Sequence, residues 1–146
     1  MFLEDELALA GRLADAAWIA IRPHFRALKD VDNKVADPPP TPSPARPTPT
    51  ARPAIPARAE FDPVTEGDRA AERAIRAILA AECPQHGVTG EEYPETPSRS
   101  GYRWLIDPID GTRAFVAGLP VWTTLISLVG PDDVPIIGII DQPVLG

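Results

Sequence analysis

The chain has 146 residues, a formal net charge of −7 and one cysteine, Cys83. Its size suits one globular domain, and its negative charge argues against nucleic acid as a partner. A single cysteine excludes an internal disulfide framework and fits a reducing compartment. The sequence has no long apolar run and an acidic N-terminus, unlike a membrane span or a signal peptide. We therefore expect a cytoplasmic globular protein without membrane or nucleic-acid partners.

Apolar residues at helical spacing predict a first helix from about Glu4 to Leu28, kinked near Pro23. Its apolar positions are Leu9, Leu13, Ala16, Ala17, Ala20 and Phe25. The two histidines, His24 and His86, show no metal-ligand spacing and are interpreted as ordinary helix-end and loop residues.

Residues 38–57 are rich in proline, threonine and alanine and lack an apolar period. Such a tract favours polyproline II and cannot build a packed core. We predict a disordered surface insertion, because lengthening a loop costs little free energy. Docking of this segment into an aromatic-lined groove is the less favoured alternative.

Thr65 followed three residues later by Asp68 is a capping-box pattern, and it opens a second predicted helix that runs through Glu82. Capping is the simple explanation for Asp68. The alternative is that Asp68 orients a nucleophilic water together with the hydroxyl of Thr112. The residues expected on the buried face of this helix are Ala70, Ala74, Ile78 and Ala81. Cys83, at the end of the helix, is interpreted as a packing residue.

After the second helix the sequence predicts strands around Val88 and at 102–106, 123–129 and 135–141. Residues 130–133, Gly-Pro-Asp-Asp, mark a hairpin between the last two strands. Two helices over a mostly antiparallel sheet give an α+β fold.

The run from Asp107 to Thr112, D-P-I-D-G-T, is the most informative part of the sequence. It places Asp107 where a strand opens into a turn, three residues before Asp110. Mg²⁺ prefers carboxylate, carbonyl and water oxygens, and the carbonyl of Ile109 can face the same ion. The amides of Gly111 and Thr112 can hold phosphate oxygens. The alternative is a capped turn whose acids meet solvent.

A second acidic motif, Gly90-Glu91-Glu92, follows the strand around Val88. Adjacent glutamates in a loop are usually solvated surface charge. A third carboxylate is also what two closely spaced Mg²⁺ ions need to balance their charge.

The motifs V-T-E-G-D at 64–68, G-E-E at 90–92 and D-P-I-D-G-T at 107–112 resemble, in this order, those of the inositol monophosphatase superfamily. Its members are Mg²⁺-dependent phosphomonoesterases with a layered α/β sandwich. The resemblance implies that Glu91, Asp107 and the Ile109 carbonyl hold one metal, and that Asp107 and Asp110 share a second. The remaining implied roles are polarising the attacking water for Asp68 and Thr112, and phosphate binding for Gly111 and Thr112.

The runs G-T-R-A-F at 111–115 and G-I-I-D-Q-P at 138–143 resemble the histidinol-phosphate phosphatase branch of that superfamily. The implied substrate is L-histidinol phosphate, an intermediate of histidine biosynthesis, with Arg113 in reach of it or in a surface ion pair. The alternatives are inositol monophosphate or another small sugar or nucleotide phosphate. An alternative from a different class of function is that the chain is an inactive remnant that binds only a metal or a partner. The resemblance also implies a homodimer for the full-length protein.

The family's fourth motif, W-D-x-A-A-G, which supplies a further metal carboxylate, does not occur in this sequence. We therefore expect residues 1–146 to form the N-terminal half of the family's fold, either as a fragment or from a truncated gene.

Overall fold

The computed structural model describes residues 2–27, 32–33 and 63–145, and the predicted insertion at residues 38–57 lies outside them. In chain order the elements are α1 (Phe2–Ile21), β1 (Asp32–Asn33), β2 (Pro63–Val64), α2 (Glu66–Glu82), β3 (Gly87–Gly90), β4 (Arg103–Asp110), α3 (Thr112–Val116), β5 (Thr123–Val129) and β6 (Pro135–Asp141).

Helix α1 ends at Ile21, two residues before Pro23, so the prediction of one kinked helix extending to Leu28 is wrong. Proline lacks an amide donor and disfavours helical geometry at the residue before it, here Arg22. The chain continues as turns over residues 22–26. The predicted apolar stripe is largely confirmed, and its fully buried members are Leu9, Leu13 and Ala17.

Helix α2 begins at the predicted capping box. The backbone N–H of Asp68 donates to the Thr65 hydroxyl, and Asp68 Oδ2 accepts from the backbone N–H of Thr65 at 2.8 Å. The prediction of the buried face (Ala70, Ala74, Ile78 and Ala81) is wrong by one residue. The observed buried residues are Gly67, Asp68, Ala71, Glu72, Ile75 and Leu79. Because this face includes two acids, a period based on apolar residues alone selects the neighbouring stripe, about 100° away.

The main sheet has the order β3-β4-β5-β6, with β3 parallel to β4 and the other pairs antiparallel. The mostly antiparallel sheet and the hairpin at 130–133 are confirmed. Strand β4, however, continues to Asp110 instead of ending at Ile106. Asp107 therefore lies inside a strand, next to a register shift between Asp107 and Asp110, and not where the strand opens into a turn.

The core lies between the helices and one face of the sheet. Helices α1 and α2 pack against each other, α2 contacts β4, and α1 contacts β5 and β6. The largest fully buried side chains include Trp104, Trp122 and Phe115, and the rings of the last two meet edge to face at 5.2 Å. This α+β layering is the predicted fold class.

The sheet face away from the helices carries an open apolar groove of about 720 Å³. Leu105 and Leu125 line it, together with Ile140, which is 77% exposed. No helix within the described ranges is both long and apolar enough to cross a bilayer.

Two features were not predicted. Strands β1 and β2 pair antiparallel, with Asp32 opposite Val64, which joins the two flanks of residues 34–62. The short helix α3 follows β4 directly after Gly111, whose φ of 89° lies in the left-handed region that favours glycine.

Candidate active site

A cavity of about 260 Å³ opens where the end of β4 meets α3. Its lining residues are Glu91, Asp107, Ile109, Asp110, Gly111, Thr112 and Arg113. These are the residues proposed from the sequence for metal, phosphate and substrate binding. Asp68, the remaining one, is buried at the start of α2 and is 1% exposed.

The parallel pairing of β3 with β4 brings Glu91 and Asp107 together. Gly90 lies opposite Ile106 in the register, so the two acids are the next residues along neighbouring strands. Adjacent positions on two paired parallel strands lie side by side, which brings both carboxylates to the cavity. The Glu91 carboxylate lies close enough to Asp107 to raise the pKa of Asp107.

An irregularity in β4 allows Asp107 and Asp110 to line one cavity. Residues three apart in a regular strand point to opposite faces, but the pairing with β5 shifts between these two aspartates. Pro108 has no amide to donate to the sheet, and its carbonyl accepts a hydrogen bond from the hydroxyl of buried Thr124 at 2.8 Å. Thr124 therefore fixes the shifted segment.

The Gly111-Thr112 step forms the rim of the cavity. The Thr112 hydroxyl donates to the Ile109 carbonyl at 2.8 Å. A carbonyl oxygen has two lone pairs, so this bond leaves one for a metal ion. Helix α3 begins at Thr112, and the first N–H groups of a helix have no intrahelical acceptor. The rim thus combines a carbonyl oxygen that could bind a cation with amide donors.

The acids of the site repel one another. Burial, followed by the negative charges of Glu91, Asp110 and Asp68, raises the pKa of Asp107 to about 7. Asp107 Oδ1 is buried and has no hydrogen-bond partner among the described residues. A cation would satisfy that oxygen and relieve the repulsion. The donors are carboxylate and carbonyl oxygens, a set that suits Mg²⁺, Ca²⁺ or Mn²⁺.

Asp68 lies behind this cluster and is held by the helix cap. Its Oδ2 accepts from the Thr65 hydroxyl at 2.6 Å, as well as from the Thr65 amide. The capping interpretation is therefore confirmed. The role of Asp68 in orienting water with Thr112 stays a prediction, and its charge already acts on Asp107.

Sequence reasoning missed two residues that support the site, Thr124 and Glu72. Glu72 is fully buried and accepts a hydrogen bond from the backbone N–H of Glu92, the residue after Glu91. Its spacing could have indicated Glu72, because an acid four residues after Asp68 lies on the same face of the helix.

A second group of metal-ligand side chains, Glu6, Cys83 and His86, has its ligand atoms within 4.8 Å of one another. Trp104 Nε1 donates to His86 Nδ1 at 3.1 Å. This bond occupies the lone pair of the neutral imidazole and leaves the proton on Nε2. The interpretation of His86 as a non-ligand residue is consistent with this geometry, and burial raises the pKa of the Cys83 thiol, which keeps it protonated.

A sequence profile of the inositol monophosphatase family matches residues 4–146. The chain belongs to this family. A histidinol-phosphatase from Mycobacterium tuberculosis is 43% identical over 97% of this chain and 45% of its own length. A histidinol-phosphatase from Streptomyces coelicolor is 38% identical over 97% of this chain and 46% of its own length. A solved inositol monophosphatase from Zymomonas mobilis is 41% identical with a TM-score of 0.63, covering 96% of this chain and 44% of its own.

These similarities confirm the resemblance on which the sequence interpretation was based, including the likeness to histidinol phosphatases, and the α+β sandwich. The chain spans about half the length of the curated relatives it matches. The predicted homodimer and cytoplasmic location stay predictions.

Proposed function

We propose that the protein is a Mg²⁺-dependent phosphate monoester hydrolase and that its substrate is L-histidinol phosphate. The observation that carries the proposal is the single cavity lined by Glu91, Asp107, Asp110 and the residues around Gly111-Thr112. Family membership and the two histidinol-phosphatase relatives support it further.

In this proposal Glu91, Asp107 and the Ile109 carbonyl would hold one Mg²⁺, and Asp107 and Asp110 would share in a second. The raised pKa of Asp107 and its buried, unsatisfied Oδ1 support a cation here. Bound metal ions would polarise the phosphate and lower the pKa of a bound water.

The chain's own groups bind and orient. The amides of Gly111 and Thr112 bind phosphate oxygens. The Thr112 hydroxyl donates its hydrogen bond to the Ile109 carbonyl, so its oxygen lone pairs are left to accept a hydrogen bond from the attacking water. The Asp68 carboxylate, fixed by Thr65, is the second acceptor for that water. Water attacks phosphorus directly while the P–O bond to the substrate alcohol breaks, so no covalent phosphoenzyme forms. The proton of the attacking water passes to the Asp68 carboxylate, and the departing alkoxide takes a proton from solvent water.

The substrate assignment has two competitors. Inositol monophosphate or another small phosphate ester is the first, supported by the 41% identity to the Zymomonas mobilis protein. The second is an inactive remnant that binds only a metal or a partner. Arg113 lines the cavity, and the G-T-R-A-F run to which it belongs resembles the histidinol-phosphate phosphatase branch, which favours the histidinol assignment.

The test measures phosphate release from histidinol phosphate, myo-inositol 1-phosphate and an aryl phosphate, with and without Mg²⁺, for the complete protein product. The proposal expects Mg²⁺-dependent turnover with the highest kcat/KM on histidinol phosphate. A preference for the inositol ester would favour the first competitor. Metal binding that depends on Asp107, without turnover of any ester, would favour the second.

A further inference from the structure

Among the described residues, Glu72 is the carboxylate with the smallest exposed fraction, 0%. Its Oε1 accepts from Arg76 Nε at 2.7 Å, one helical turn further along α2. Its Oε2 accepts from the backbone N–H of Glu92 at 2.7 Å. One carboxylate thus joins a helix to the loop that follows β3.

Arg76 extends this connection along the same loop. Its Nη1 donates to the Thr96 hydroxyl at 3.0 Å, and its Nη2 donates to the Tyr93 carbonyl at 3.3 Å. Backbone bonds between Val88 and Thr96 close the loop at its base. The Glu72–Arg76 pair therefore holds the loop at Glu92, Tyr93 and Thr96, and Glu91 directly precedes the first of these residues.

Gly90, on the other side of Glu91, also contacts Glu72. A Cβ added at Gly90 would lie 2.0 Å from Glu72 Oε1 and 2.5 Å from Oε2. The carboxylate therefore occupies the space that the missing side chain leaves open. The same buried carboxylate therefore packs against one chain neighbour of Glu91, Gly90, and accepts a hydrogen bond from the other, Glu92.

We propose that Glu72 is a positioning residue, which holds Glu91 at the distance from Asp107 that metal binding requires. This inference rests on the proposed function, because Glu91 is taken as a metal ligand. Stability alone is a weak explanation for a buried ion pair, since apolar replacements of such pairs are often neutral or stabilising. Groups that orient a metal ligand, by contrast, typically change metal affinity 10–100-fold when altered.

The test compares Glu72→Gln with Glu82→Gln in the full chain. Glu82 is on the same helix but pairs with Arg12 at the surface, which makes it a matched control. A glutamine has one acceptor oxygen for the two donors, Arg76 and the Glu92 amide, so one of them is lost. Glu72→Asp is the second variant, because it keeps the charge but withdraws the carboxylate by one methylene.

The first measurement is amide hydrogen exchange of Glu92 without metal. We expect slow exchange in the wild-type protein, at least tenfold faster exchange in both Glu72 variants, and no change in Glu82→Gln. Fast exchange at Glu92 in the wild-type protein, or unchanged exchange in the variants, would overturn the inference whatever the metal does.

The second measurement is the Kd for Mn²⁺, taken well below the Tm of each variant. We expect at least tenfold weaker binding in the Glu72 variants and less than a twofold change in Glu82→Gln. A lower Tm with unchanged Kd would show that Glu72 only stabilises the fold. If Asp107→Asn leaves Mn²⁺ binding intact, the metal site of the proposed function fails, whereas the exchange result still decides whether Glu72 holds the loop.

Discussion

Two carboxylates, Glu72 and Asp107, lie near each other in the fold but in opposite circumstances. Glu72 is fully buried, and both of its oxygens have partners within the chain, the Arg76 guanidinium and the Glu92 amide. Asp107 is surrounded by acids, and one of its buried oxygens has no hydrogen-bond partner among the described residues.

Glu72 therefore belongs to the folded structure itself, whereas Asp107 needs a partner from outside the chain. A buried charge is tolerated where it is paired and hydrogen-bonded, which is the situation of Glu72. Asp107 reaches the same condition only when a proton or a metal ion joins the cluster. The predictions below test whether the two carboxylates differ in this way.

The largest expected effect is on catalysis at Asp107. In a complete enzyme, Asp107→Asn should lower Mg²⁺-dependent kcat by at least about 10³-fold, because metal stabilisation supplies several kcal/mol. Phosphate release from histidinol phosphate is the measurement. Asp132→Asn, in the exposed hairpin, is the matched control and should keep nearly full activity. Retention of most activity in Asp107→Asn would remove the metal assignment.

Thr112→Ala should lower kcat on the order of 10²-fold, since it removes the hydroxyl that donates to the Ile109 carbonyl and that we propose accepts a hydrogen bond from the attacking water. Thr112→Ser keeps the hydroxyl and should retain most of the wild-type rate. The comparison is made at saturating Mg²⁺ to separate catalysis from metal affinity. Equal losses in the two variants would mean that the methyl group, and not the hydroxyl, matters.

Arg113→Ala tests selectivity. We expect kcat/KM on histidinol phosphate to fall on the order of tenfold further than kcat/KM on an aryl phosphate, a difference of about 1.4 kcal/mol. The partner of the guanidinium would be a phosphate oxygen or an acidic neighbour, because the imidazole of the substrate is neutral or positive near pH 7. Equal losses on both substrates would assign Arg113 to the phosphate or to the fold.

The smallest effect concerns the metal-free protein. The pKa of Asp107 is raised in the folded state to about 7 from 3.8, so the folded state binds the proton more tightly. The resulting stabilisation is complete below pH 3.8 and is lost as the pH rises through 7. Asp107→Asn should flatten this decline and raise the Tm at pH 7.5 on the order of 2–4 °C. A parallel pH profile in the variant and the wild type would contradict the assignment of the shift to Asp107.

The cavity residues were predictable because most of them come from one contiguous run, Asp107 to Thr112, whose chemistry is visible in the sequence. The predicted end of β4 at Ile106 was nevertheless wrong. The strand continues through a register shift that is held by the hydrogen bond from Thr124 to the Pro108 carbonyl, and these two residues are 16 positions apart. Glu72 was missed because its partner is a backbone amide 20 residues away, which leaves no trace in a side-chain pattern.

In the helices, too, the features that depend on local sequence were easier to predict than those that depend on distant contacts. The start of α2 was predicted, because a capping box is local. Its buried face was not, because the acids Asp68 and Glu72 take positions that an apolar period assigns to solvent. The end of α1 at Ile21 followed from Pro23, whose local effect is stronger than the apolar spacing beyond it.

The central claim is that the acids around Asp107 form a site for a divalent cation. Calorimetric titration of Mg²⁺ and Mn²⁺ into the metal-free protein at pH 7.5 tests it most directly, with Asp107→Asn and Asp132→Asn measured in parallel. We expect saturable binding in the wild-type protein and in Asp132→Asn, and loss of that binding in Asp107→Asn. Equal affinity in all three proteins, or no saturable binding in the wild type, would contradict the claim.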